Sequence, residues 1–362
     1  MLIAGLLAMT GNIAAPIAFA HVSVRARSLD ESLAWYTQVL GLRVALRNAE
    51  QAFTTFDEEH HRVTYFPHPE MGRTPGNLGG FDHVAFCYAS AGDLLRNYRR
   101  LRAQGIWPHR SVRYGPVMSI YYLDPNGLAI ELTADYFQSV DELARHLAGG
   151  CLWSGRTEGE FDPEALGGAA TEEIVRPRGI SHMVLKTARY EEMIEWYGTV
   201  MGCRVEWRCD RAAFLAFDYN AFAVAIMKEE DLADPGDTYG FDHCAFEYAS
   251  MEDLAVHTYL RLKRQGIYPY WAVNHGMTTS LYYADPDLNR IELQVDNFRT
   301  KAECWQYITG PHFARNPIGV DLDPDHLAAL VRRGASYEEM HRRVEGGPRT
   351  APIPSPKGIR RA

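Results

Sequence analysis

Four segments of the chain alternate apolar and polar residues, and each carries a histidine: AFAHVSVRA (18–26), FDHVAFCYA (81–89), ISHMVLKTA (180–188) and FDHCAFEYA (241–249). Alternation with a period of two is the mark of a strand with one buried face. After each of them the period lengthens to that of an amphipathic helix, in LDESLAWYTQVLG (29–41), AGDLLRNYRRLRAQG (91–105), YEEMIEWYGTVMG (190–202) and MEDLAVHTYLRLKRQG (251–266). Acidic residues near the start and a glycine at the end are the expected boundary signals of these helices. Aromatic and β-branched runs such as VMSIYYLD (117–124) and LAIELTADY (128–136) then read as further strands. The pattern predicts a βαβββ unit used four times, an α+β fold.

The four units group into a long internal repeat. GGFDHVAFCYAS (79–90) returns as YGFDHCAFEYAS (239–250), and MSIYYLDPNGLAIEL (118–132) returns as TSLYYADPDLNRIEL (279–293). SLAWYTQVLGLRV (32–44) matches MIEWYGTVMGCRV (193–205). The period is too long for a solenoid, so two homologous domains are expected, over residues 16–137 and 180–298, each curving two βαβββ units into one cupped mixed sheet. Residues 138–179 read as a connector that begins helically (VDELARHLAGG) and becomes acidic and glycine-rich. Residues 299–362 read as a C-terminal extension with a helix at 323–333 and an end, GGPRTAPIPSPKGIRRA, whose composition predicts disorder.

Within that repeat lies the candidate chemistry. His21, His83 and Glu131 recur as His182, His243 and Glu292 at offsets of 161, 160 and 161 residues. Two histidines and one carboxylate make a facial metal site that leaves coordination positions open. The expectation at this stage is one such triad per repeat.

Composition narrows the partners. A net charge of −9 argues against nucleic acid and against a membrane surface. The six cysteines include no CxxC pair, which suits free thiols in a reducing compartment and points to the cytoplasm. The apolar start MLIAGLLAMTGNIAAPIAFA has no positive leading residues, and cleavage after Ala20 would remove the strand that carries His21. It therefore reads as a short extension before the first strand rather than as a signal peptide.

The βαβββ units, with histidine on first strands and glutamate on last strands, resemble the vicinal oxygen chelate superfamily. Over residues 16–297 the chain is similar to its two-domain type I extradiol ring-cleavage dioxygenases, the biphenyl-2,3-diol and catechol 2,3-dioxygenase group. The resemblance implies a glyoxalase-like fold, Fe(II) as cofactor with Mn(II) as the alternative ion, a small aromatic diol and O2 as substrates, and a homo-oligomer. It also implies further site residues. A histidine pair ahead of the second metal histidine is matched by His60-His61, a tyrosine ten residues before the glutamate by Tyr121 and Tyr282, and a histidine in an NHG segment by His275. The first repeat has Tyr114 in place of that last histidine, and the second has Ala221-Phe222 in place of the pair. Grouped by repeat, each cup thus keeps only part of the set, and the preference falls on the amino-terminal one as the dioxygenase centre. Two other readings of the fold stand beside it: a glyoxalase-like metal lyase or isomerase, which would normally use more carboxylate or amide ligands, and a non-enzymatic binder, which would normally lack the metal ligands.

Overall fold

The structure, a computed structural model, describes residues 13–72, 79–114, 117–134, 158–169, 171–217, 223–233, 240–344 and 347–358. The helix expected from residue 138, the Ala221-Phe222 pair and the tips of the loops 67–80 and 228–240 lie outside the described residues.

All four units form in the predicted order. The first holds β1 (Ala18–Ala26), α1 (Leu29–Leu40), β2 (Arg43–Arg47), β3 (Ala52–Thr55) and β4 (Val63–Pro67). The second holds β5 (Gly80–Cys87), α2 (Ala91–Ala103), β6 (Arg110–Tyr114), β7 (Val117–Leu123) and β8 (Ala129–Ala134), and β9 (Glu158–Glu160) follows it. The third holds β10 (Gly179–Thr187), α3 (Tyr190–Met201), β11 (Arg204–Arg208), β12 (Ala212–Ala216) and β13 (Val224–Lys228). The fourth holds β14 (Gly240–Glu247), a π-helical segment (Asp253–Tyr259) running into α4 (Leu260–Lys263), then β15 (Trp271–Asn274), β16 (Thr278–Ala284) and β17 (Arg290–Asp296). Beyond it come α5 (Lys301–Ile308), α6 (Pro311–Arg315), β18 (Val320–Asp321), α7 (Pro324–Arg332) and α8 (Tyr337–His341). None of the helices among the described residues is long and apolar enough to cross a membrane.

The way the units pair departs from the expected domains. One sheet runs β18-β15-β16-β17-β14-β1-β4-β3-β2 and the other β11-β12-β13-β10-β5-β8-β7-β6-β9. The first unit therefore shares a sheet with the fourth, and the second with the third. Each sheet takes one half from each repeat, so the spans 16–137 and 180–298 are repeats in sequence but not separate cups in space. The reason lies in strand edges. Within a unit the first strand pairs on one side with the last, as β1 does with β4 and β14 with β17, and its other edge is open. An open edge must be paired or protected, and the antiparallel joins β1–β14 and β5–β10 do this.

The residues expected to be a connector also belong to the repeat. EFDPEAL (160–166) and DLDPDHL (321–327) stand 161 residues apart. Each places a short strand at a sheet edge, β9 against β6 and β18 against β15. Tyr98 donates to Glu164 at 2.9 Å, and its counterpart Tyr259 donates to Asp325 at 2.9 Å. The π-helical segment has an equally local cause. AGDLLRNYRRLRAQG is one residue shorter than MEDLAVHTYLRLKRQG, and a π-bulge is how a helix absorbs one extra residue without losing its register at either end.

The helices of each repeat pack on one another although their sheets part company. Tyr36 of α1 donates to buried Asp124 and Tyr197 of α3 to buried Asp285. Arg100 of α2 donates to the carbonyls of Gln38 and Val39 near the end of α1, and Arg261 does the same for Thr199 and Val200 near the end of α3. These guanidinium groups satisfy carbonyls left free at a helix C-terminus and complement its dipole. Asn97, fully buried, donates to Val39 and Tyr88 and accepts from Arg100. Asn97→Ala removes one buried hydrogen-bond partner each from the Val39 carbonyl, the Tyr88 hydroxyl and the Arg100 guanidinium, and a loss of about 1–3 kcal/mol in urea unfolding is expected.

Candidate metal centres and active site

The crossed pairing of sheets regroups the six metal-ligand candidates. His21, His243 and Glu292 form one cluster and His83, His182 and Glu131 the other, all buried, with ligand atoms within 4.8 Å of one another. The expected sets, His21/His83/Glu131 and His182/His243/Glu292, are not the ones that meet. Each real triad draws two residues from one repeat and one from the other.

Strand register explains the convergence. His243 lies opposite Ser23, and Ala245 lies between His21 on β1 and Glu292 on β17. His243 and Ala245 share a face of β14 because side chains alternate along a strand. A small residue there leaves room between three inward-pointing ligands. Ala85 holds the same place in the second cluster, opposite His182 and beside Glu131.

The ligand atoms of each cluster lie close enough together to share one cation. Glu292 Oε2 is 3.2 Å from Nε2 of both His21 and His243, and those two nitrogens are 3.4 Å apart. Yet Glu292 Oε2 is a buried oxygen with no aligned hydrogen bond. Three buried ligand atoms this close, two imidazole nitrogens and a carboxylate oxygen, are a donor set that fits a divalent ion. In the second cluster Glu131 Oε2 is 2.9 Å from His83 and 3.3 Å from His182. Ser119 donates to Glu131 Oε1 at 2.5 Å, which fixes the carboxylate.

Surrounding carboxylates set the tautomers. His243 Nδ1 donates to Asp242 at 2.7 Å and His83 Nδ1 to Asp82 at 2.6 Å, which frees each Nε2 for a metal. Burial opposes a proton on these rings, but the two neighbouring carboxylates outweigh it, raising His243 and bringing His83 to about 9. His21 has no such support, and burial lowers it to about 4 despite Glu292. Burial pushes Glu131 and Glu292 upward, yet their histidines hold both carboxyls well below the usual range. A metal would take over the role these protons play in the metal-free chain.

Of the other residues expected at the site, His60, His61, His275 and Tyr282 gather at the first triad, and Tyr121 does not. A cavity of about 390 Å³ is lined by His21, His243 and Glu292 together with His61, His275 and Tyr282. His61 packs its ring against His21 at 4.2 Å and stacks on Phe53 at 4.7 Å, and His60 stands edge-on to it at 4.4 Å. Both His60 nitrogens and His61 Nδ1 are buried without a hydrogen-bond partner among the described residues. Burial holds His61 well below its ordinary pKa. His275 Nδ1 donates to the Ile318 carbonyl, so its Nε2 accepts from the Tyr282 hydroxyl at 3.1 Å. Tyr282 is stacked on Trp271 at 4.7 Å. Burial and the adjacent Glu292 raise its hydroxyl well above 10.

Grouped by repeat, no cup held both the histidine pair and His275. Grouped by sheet, one does. His60-His61 come from the first unit and His275 and Tyr282 from the fourth, and they meet because β1 joins β14. That overturns the preference for a cup made of the amino-terminal repeat alone. Tyr121 stands beside His83 at 5.3 Å in the second cup. There Ala223 follows the positions that answer to the histidine pair. Arg290, the Asp242–Arg25 pair and Trp271 escaped the sequence reading. Only the FDH spacing hinted at an aspartate behind each histidine.

The grouping makes a sharp prediction for metal content by atomic emission. His21→Ala/His243→Ala should lose one of two bound ions, and so should His83→Ala/His182→Ala, whereas His21→Ala/His83→Ala should lose both. Triads confined to single repeats would give the reverse pattern for all three pairs.

Comparisons with known proteins bear on the same residues. The family model described as the Glyoxalase/Bleomycin resistance protein/Dioxygenase superfamily matches residues 18–132 and 179–293. Biphenyl-2,3-diol 1,2-dioxygenase 2 of Rhodococcus globerulus is 35% identical over 178 residues, covering 49% of this chain and 93% of the relative. Biphenyl-2,3-diol 1,2-dioxygenase 3 of the same organism is 37% identical over 173 residues, covering 47% of this chain and 90% of the relative. Among solved structures, a Bacillus subtilis protein proposed to be a dioxygenase has a TM-score of 0.59 at 14% identity, covering 81% of this chain and 91% of its own. That last likeness is one of fold.

Proposed function

The chain belongs to the glyoxalase/bleomycin resistance protein/dioxygenase superfamily, and we propose that within it the protein is an extradiol dioxygenase that opens a catechol-type ring with O2. The observation that carries this reading is the meeting, in one cavity, of the His21–His243–Glu292 triad with His61, His275 and Tyr282. The two relatives at 35% and 37% identity, both named for cleavage of biphenyl-2,3-diol, support it. The donor set suits Fe(II), with Mn(II) as the other ion of matching preference.

His21, His243 and Glu292 would hold the metal, which when bound would supply a path for electrons between an aromatic diol and O2. The chain supplies the rest. His61, neutral because it is buried, can take a proton that the diol gives up on binding. Tyr282 keeps its proton because burial and Glu292 raise its pKa, and with that proton given to His275 its oxygen can accept from a hydroxyl still present on the diol. His275 fixes that hydroxyl by accepting from it, and its own tautomer is fixed by Ile318. The apolar wall of Phe53, Trp271 and Met277 receives the ring and keeps bulk water from the reacting atoms. Both atoms of O2 end in the ring-opened product, so no external reductant enters the balance.

Anaerobic reconstitution with Fe(II), followed by a panel of catechols in an oxygen electrode, should give one O2 consumed per diol and a yellow ring-fission product. His61→Ala should keep its metal and lose about 10²–10⁴ in kcat, the usual share of a positioned acid–base group. A metal-loaded protein that takes up no oxygen with any diol would refute the reading.

A further inference from the structure

Residues 347–358, the last that the structure describes, have no match elsewhere in the repeat. Sequence equivalence between the repeats runs as far as the turn at 160–166 and 321–327, after which the first repeat leads directly into β10. Among the described residues the C-terminal strap therefore has no counterpart over the second cup. Its Pro- and Gly-rich composition predicts disorder, but the structure lays it against the cavity of the first triad. A few fixed contacts suffice, because proline-rich chain has little conformational freedom to lose.

Arg349 is the anchor. Its side chain is only 8% exposed and forms a two-pronged pair with Asp321, at 2.7 and 3.1 Å. The same guanidinium lies 5.5 Å over the Trp271 ring, whose indole donates to Asp321 at 2.8 Å. Trp271 in turn stacks on Tyr282. A second tie comes from Arg290, which donates to Asp242 at 2.8 Å and to the Tyr270 hydroxyl at 3.0 Å from opposite ends and reaches the Pro354 carbonyl at 3.5 Å. Ala129 stands in its place in the other repeat. Held in this way, Ile353, Pro354 and Ser355 line the cavity beside Ile318 and Pro317. Ile353 is nonetheless 44% exposed. A large aliphatic side chain left open at the mouth of an aromatic-lined pocket gains from any apolar group that covers it.

We propose that the C-terminal strap is the specificity wall of the diol pocket, with Ile353 and Pro354 receiving an apolar substituent on the diol ring and so favouring a substituted or two-ring diol over catechol itself. The proposal rests on the dioxygenase reading for its choice of ligand. The Arg290 donors are already committed to Asp242, Tyr270 and Pro354, which leaves this part of the wall apolar rather than set up for an anionic substituent.

Two variants test it, Ile353→Ala and Arg349→Ala, each checked for unchanged metal content and circular dichroism. The ratio of kcat/KM for 3-phenylcatechol to that for catechol should fall about tenfold in Ile353→Ala, the order expected for apolar groups lost from a pocket. The change should sit in KM, since the contact is made equally before and during reaction. Arg349→Ala should lower the same ratio by releasing the strap, and Ile353→Val should largely restore it. An unchanged ratio in both variants, or an equal loss with both substrates, overturns the proposal. Calorimetric titration of 3-phenylcatechol into the anaerobic metal-loaded protein keeps the two claims apart. Wild type that binds more tightly than Ile353→Ala but cleaves no diol would refute the dioxygenase reading and leave the wall standing.

Discussion

The open edge of each unit's first strand is the constraint from which the rest of the structure follows. A βαβββ unit pairs its first strand with its last and leaves the other side of the first strand bare. Two such edges must join, and the histidines lie on the strands that do the joining. Where β1 meets β14, His21 and His243 face each other, and Glu292 arrives on the neighbouring strand. Building the sheet and building the metal site are one event, because neither ligand set exists until two distant parts of the chain have paired.

Because the pairing crosses between repeats, the two cups are not copies of two domains. Each is a hybrid of one early and one late half. That resolves an oddity of the sequence, in which each repeat keeps a different part of the expected catalytic set. His61 and His275 lie more than 200 residues apart, yet they line one cavity. The other cup, with His83, His182, Glu131 and Tyr121, keeps the metal ligands without the histidine pair or His275. Both cups carry the two-histidine, one-carboxylate set, while His61 and His275 line the cavity of one. The strap sharpens the same asymmetry, since Ile353, Pro354 and Ser355 line the cavity of the first triad.

Much of this was legible in the sequence. The alternating first strands, the four helices, the six ligands and the further residues His60, His61, His275 and Tyr282 follow from residue patterns, from the internal repeat and from family resemblance. The pairing did not, for a physical reason. All four first strands carry similar apolar faces and a histidine, so their edges match one another almost equally well, and local pattern cannot say which two will meet. The connector hid a strand because three residues at a sheet edge, Glu158–Glu160, are too few to show a period. The tail looked disordered because composition measures the lack of a core, while Arg349 holds its segment through an ion pair and an aromatic ring belonging to another part of the chain. The π-helical segment was visible only as a one-residue difference between repeats.

The central claim is that the working metal is held by residues from both repeats. Anomalous scattering at the iron edge, from crystals grown anaerobically with Fe(II), tests it directly. The account predicts a peak within coordination distance of Nε2 of His21, Nε2 of His243 and the Glu292 carboxylate. A peak bounded instead by His21, His83 and Glu131 would contradict it.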